Sequence, residues 1–174
     1  PRAVVLTNSL ELNLLLCAHT SCDRYHPSGI FSTVPPDELL DRCWTSYKLL
    51  GVPDAKVASL FMGSEQVMRE AKASRFCYTR EQIERHWALY FLGRRYLDAE
   101  ATYALPDQLR ASFLEAYRKH PSDPRILLAR HRADYLMWTP RDRELSTLDP
   151  ANRPEFFRLR FESGDFRIYE ILSR

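Results

Sequence analysis

Residues 157–171 read FRLRFESGDFRIYEI, with apolar and charged side chains alternating on both sides of Ser163-Gly164. A period of two is the signature of a half-buried strand, and two such runs joined by a Ser-Gly turn form a hairpin. The spacing sets Phe157, Leu159 and Phe161 on one face, with Arg158, Arg160 and Glu162 on the other. An isolated hairpin is marginal in water, so this apolar face must find further strands or helices in the same chain.

Those partners are legible upstream. RAVVLT (residues 2–7) is a short β-branched run, and Asn8 or Ser9 can cap a following helix that carries Leu10, Leu14, Leu15 and Cys17. Residues 19–35 read as a loop, within which GIFST offers a short strand. A helix beginning at Pro35-Pro36 has acidic Asp37 and Glu38 in its first turn and an apolar stripe of Leu39, Leu40, Cys43, Tyr47 and Leu50. Gly51 and Pro53 end it. Further helices are expected over 54–73 (with a break at Gly63-Ser64), 79–97, 106–120 and 123–130. HRADYLMW reads as a buried strand ended by Thr139-Pro140, and residues 139–155 as a polar connection to the hairpin. The order β-α, helical middle, β, hairpin specifies an α/β fold, with α+β as the alternative. It has a mixed sheet of about four to five strands covered by helices.

At 174 residues, the chain is expected to be one domain spanning 1–174, long enough to hold a core without disulfides or metal. A net charge of +2 and scattered arginines (Arg94-Arg95, Arg141, Arg143) argue against a nucleic-acid partner. Ser9 follows a strand but lacks the Gly-x-Ser-x-Gly elbow of a hydrolase nucleophile, and no glycine-rich loop is present to cradle a pyrophosphate. The sequence therefore names no catalytic residue and implies no cofactor.

One run collects soft ligands. CAHTSCDRYH holds Cys17, His19, Cys22 and His26, with Asp23 among them. Zinc is usually held by two close ligand pairs separated by a longer loop, and a single short run rarely surrounds a metal. The expectation is a loop on the rim of the sheet with no metal. The alternatives are a metal site of Cys17, His19, Cys22 and His26, or a free-standing soluble enzyme or metal-binding protein using His19, Cys22, Asp23 and His26. The pairing of Cys17, Cys22, Cys43 and Cys77 stays open. A third reading makes 54–119 a helical interaction module.

The order of several segments carries a resemblance. AVVLTNS leads into an apolar helix; a loop with Thr20, Tyr25 and Pro27 precedes GIFST; the next helix bears ELLDR; ADYLMW and FFRLRFESGDFRIYEI follow near the end. This order resembles the soluble C-terminal domain of bacterial polytopic membrane proteins similar to the GT-C class of lipid-linked-sugar glycosyltransferases. The match covers roughly 1–50 and 131–174, at Thr7, Asn8, Thr20, Tyr25, Glu38, Arg42, Tyr135, Trp138, Ile168 and Tyr169. The resemblance implies a domain excised from a larger membrane protein of the bacterial inner membrane, exposed on the periplasmic side. The catalytic acid of that class sits between membrane helices, so this domain would be non-catalytic. Its implied partners are the membrane-embedded part of its own chain and a lipid-linked sugar or glycan. Its ligand would meet the rim of the sheet, where Thr7, Asn8, His19, Thr20, Asp23, Arg24, Tyr25 and His26 are the candidates. Glu38 and Arg42, at i and i+4, are a candidate structural pair.

Overall fold

A computed structural model describes residues 2–26, 34–61 and 107–172. They fall into two compact units. The first is Pro1–Ser28, Asp41–Pro53 and His120–Arg174; the second is Gly29–Leu40 and Asp54–Lys119. The described elements are β1 (Val4–Leu6), α1 (Leu10–His19), β2 (Asp23–Arg24), α2 (Pro36–Leu49), α3 (Asp54–Phe61), α4 (Asp107–Lys119), α5 (Pro124–Arg130), β3 (Tyr135–Trp138), α6 (Pro140–Leu145), β4 (Phe157–Ser163) and β5 (Phe166–Ile171). The helix expected over 79–97 lies outside the described residues, as do most of GIFST and the latter part of the 54–73 helix.

The first unit contains an open five-stranded mixed sheet, the α/β architecture expected from the sequence. Its order is β2-β1-β3-β5-β4. β1 runs parallel to both β2 and β3, while β5 is antiparallel to β3 and β4. β1 is hydrogen-bonded along both edges by parallel neighbours, and its Val5 and Leu6 side chains are buried, as suits the all-apolar VVL. One sheet face packs a core of Leu6, Leu136, Trp138, Phe157, Tyr169 and Ile171 against Tyr25, Leu49, Leu50, Leu127 and Ala133.

Ser9 caps α1 by accepting from Leu12 N at 3.4 Å. The buried side of α1 includes Asn13 and Leu16, whereas Leu15 is half-exposed. A helix that is apolar nearly all round gives no periodic clue to its inward face. Of the stripe expected for α2, Leu39, Cys43 and Tyr47 are buried, as is Leu50 just past its end, while Leu40 is half-buried; Trp44 and Leu49 are buried as well. In the second unit α3 packs on α4, burying Val57 and Tyr117, and Arg118 reaches Asp54 at 2.7 Å.

Three details differ from the sequence reading. A short strand lies at Asp23–Arg24, inside the stretch read as loop, because the chain leaving α1 pairs with β1: Tyr25 N donates to Val5 O at 2.9 Å. The polar connection 139–155 holds a full capping box, with Thr139 and Asp142 capping α6, and a 3-10 turn at Pro150–Asn152. The hairpin turn sits one residue later than expected, on Gly164-Asp165, where Gly164 takes φ 56° at the first central position.

The hairpin also breaks its own alternation. Leu159 pairs with Tyr169, but Phe161 pairs with Ile168, so a bulge at Arg160 shifts the register. Since directly opposed residues share a face, Phe157 and Leu159 lie on the core side and Phe161 lies on the other. Phe161 and Phe166 are about half-exposed, at 54% and 47%, and so is Leu159 at 47%, although it lies on the core side of the edge strand β4.

Candidate functional site

The topology determines where a ligand would meet this sheet. β1 connects through α1 to β2 on one side, and the chain then crosses to place β3 on the other side of β1. In open α/β sheets the crevice beyond the carboxyl ends of strands that diverge in this way is the binding position. Here that crevice lies beyond the ends of β1 and β3, at Thr7, Asn8 and Ser9 on one side and Thr139 and Asp142 on the other.

The side chains there are polar and buried. Thr7, Asn13, Ser46, Thr139 and Asp142 are all at most 3% exposed. Thr7 Oγ1 accepts from Ser9 N at 3.2 Å. The Ser46 hydroxyl stands 2.9 Å from Cys43 O and 3.3 Å from Asn8 Oδ1, and its single proton favours the shorter contact. Asn13 Nδ2 donates to His26 O at 2.8 Å, bracing the end of β2. Asp142 Oδ2 accepts from Thr139 N at 2.9 Å and from the Thr139 hydroxyl at 2.7 Å.

Two acceptors are left over. Asn13 Oδ1 is buried with no hydrogen-bond donor among the described residues, and Asp142 Oδ1 is buried with the Asn8 amide near it but no hydrogen bond formed. Burial holds the Asp142 carboxyl above the usual carboxylate range; the bonds from Thr139 and the nearby Asn8 amide work against that rise without cancelling it. A buried acceptor without a donor costs about 1–3 kcal/mol.

The candidates named from the sequence divide between two edges. α1 must run back along β1 for β2 to pair in parallel, so its end returns to the edge where β1 begins. Thr7, Asn8, Tyr25 and His26 stand at the carboxyl edge; His19, Thr20 and Asp23 are exposed at the opposite one, and Arg24 is half-buried on β2 between them. Thr20 closes α1, its hydroxyl donating to Leu16 O at 2.6 Å. Asp23 faces Arg2 at 4.0 Å. From Asp23 to His26 an extended backbone covers about 10 Å, several times a metal–ligand bond. Among the described residues no three His, Cys, Asp or Glu side chains gather as a metal site; the Cys17 side chain lies outside them. Cys22 and Cys43 carry free thiols. Burial pushes the Cys43 thiol up to about 12.

No family model matches this chain, and no curated protein or solved structure is detectably similar to it. Among the described residues no helix is long and apolar enough to cross a membrane.

A second polar cluster joins α2 to α5. Asp41 accepts from Arg130 (2.5 and 3.1 Å) and lies 2.6 Å from His131 Nε2. His120 Nδ1 is 3.8 Å from the same carboxylate, and its Nε2 is 3.0 Å from the Thr45 hydroxyl. The guanidinium engages both carboxylate oxygens, so the cluster is a clasp between helices, with no room for a metal at Asp41. Arg42, one residue on, donates to Tyr25 O at 2.9 Å and stands 5.8 Å from that ring's centroid. Glu38 shares α2 with Arg42, four residues earlier. His26, fully buried edge-on against Tyr25, is pushed down to about 3, by burial first and then by the Arg42 and His131 charges.

Thr139, Asp142, Asn13 and Ser46 were not among the sequence candidates. The signal for the first two was present: Thr139-Pro-Arg-Asp142 is a helix-start pattern, and a helix beginning directly after a strand places its cap at the sheet's edge.

Proposed function

We propose that this chain is a non-catalytic accessory domain that binds a polar, hydroxyl-bearing ligand in the crevice beyond β1 and β3. In the parent implied by the sequence resemblance, a polytopic membrane protein similar to the GT-C class, that ligand is the acceptor or the sugar of a lipid-linked sugar. The observation that carries the reading is the Asp142 carboxyl, buried at the crevice beside the Asn8 amide, with one oxygen that accepts no hydrogen bond among the described residues. A sugar hydroxyl supplies a donor to that oxygen. Asn8 and the first turn of α1 offer further polar groups a few residues away.

The test is a titration of isotope-labelled protein with water-soluble glycosyl phosphates, followed through backbone amide shifts. Saturable shifts at Thr7–Ser9 and Thr139–Asp142, weakened about tenfold in Asp142→Asn, support the reading. Asn keeps an oxygen for Thr139, so the cap survives. Shifts confined to other residues, or hydrolysis of the ligand by the isolated chain, would overturn it. The gene upstream of Pro1 tests the parent: a series of hydrophobic spans is expected there.

A further inference from the structure

The edge opposite the crevice, where β3 begins and β5 ends, holds a groove of about 940 Å³. That volume suits a ligand of drug or lipid-chain size. Its floor is apolar: Leu128 and Ala129 from α5, Phe156 from the segment leading into β4, and Ile171 and Leu172 from the end of β5. The floor is held in place by Leu172 N donating to Phe156 O at 2.8 Å and Phe156 N to Arg153 O at 3.0 Å.

The rim carries the guanidiniums of Arg125 and Arg158 and the carboxylates of Glu155 and Glu170, with Arg153 and Arg160 beside them. Arg125 is exposed at the mouth and its guanidinium has no partner among the described residues. Arg158 and Arg160 both approach the same oxygen of Glu170, each at 2.6 Å, so two cations share one carboxylate and one charge is left over. Arg153 lies 5.0 Å from the Phe156 ring centroid and pairs with Glu155 at 3.9 Å, so four guanidiniums (Arg125, Arg153, Arg158 and Arg160) stand against two carboxylates (Glu155 and Glu170). An apolar trough beside excess positive charge is complementary to a molecule with a hydrocarbon chain and an anionic head.

We infer that this groove binds a single-chain amphiphilic anion, its chain along Leu128, Phe156 and Leu172 and its head at Arg125. Calorimetric titration with dodecyl phosphate, below its micelle concentration, tests the inference. Saturable one-to-one binding is expected, about tenfold weaker in Arg125→Gln and abolished in Ala129→Trp, whose indole fills the trough. Both positions are exposed on α5, and an unchanged melting temperature confirms that each variant folds. Asp142→Asn is expected to bind dodecyl phosphate normally, which separates this site from the crevice. No saturable binding would overturn the inference. So would equal binding of uncharged dodecyl maltoside, or an Arg125→Gln variant indistinguishable from the parent.

Discussion

Nε2 of His131 lies 2.6 Å from Oδ2 of Asp41, and the two residues are 90 positions apart in the chain. One carboxylate on α2 thereby ties down both the last residue of α5 and the residue after it, before the chain enters β3.

Asp41 illustrates a balance of opposed effects. Its burial alone would raise the carboxyl's pKa, but the hydrogen bonds from Arg130 and His131 outweigh it, and the group is held below its ordinary value of 3.8. A depressed carboxyl stabilises the fold above its unfolded pKa, and the benefit is lost as pH falls through the folded value. Asp41→Asn is therefore expected to lower stability by about 1–2 kcal/mol at neutral pH. Urea melts should show that difference closing once the pH drops below 3.8.

His26 should govern stability in a higher window. Its folded value of about 3 lies below the ordinary 6.5, so the folded state excludes a proton that the unfolded state accepts. The sign follows: full stability above 6.5, declining as pH falls toward 3. The slope from this one group is at most about 1.4 kcal/mol per pH unit. Replacing His26 by Phe should flatten the decline between those limits; an unaltered slope would assign the effect elsewhere.

Gly51 and Gly164 both have positive φ, at 65° and 56°, yet they should respond differently to alanine. A Cβ on Gly51 would lie 2.6 Å from Leu148 Cγ and 3.0 Å from Thr147 Oγ1, whereas one on Gly164 meets nothing within 4 Å. Gly51→Ala is expected to cost about 2–3 kcal/mol, combining left-handed strain with displacement of Leu148, and Gly164→Ala about 1 kcal/mol. Thermal unfolding of the two variants side by side checks the order.

The strands with regular patterning were readable in advance. VVL, YLMW and the two hairpin arms declared themselves by β-branching and alternation, and α2 by its acidic start and Gly51 stop. What escaped was set by tertiary pairing. Asp23–Arg24 is too short and too polar to read as a strand, and it becomes one only because β1 offers free backbone groups. The side for Phe161 was misread because a bulge leaves no mark in composition; Arg160 looks like any other outward residue. At the crevice Thr7 and Asn8 are legible from their position after a strand, whereas Tyr25 and His26 read only as part of a loop. Asp142 was passed over because Pro140 made its surroundings look like a linker, although proline suits the first turn of a helix. Asn13 and Ser46 sit in helices, where nothing local distinguishes a buried polar residue from a solvated one.

β1 has β2 beside it within about twenty residues of chain, but its other neighbour, β3, arrives some 130 positions later; Val4 N bonds the side chain of Asp134 at 2.7 Å. Translation proceeds from the amino end, so the opening strand leaves the ribosome long before its second partner has been made. Val5 and Leu6 must wait half-covered while the intervening chain is synthesised, and the sheet can close only as the final forty or so residues emerge. A nascent chain halted before Tyr135 thus leaves one edge of β1 without its strand partner.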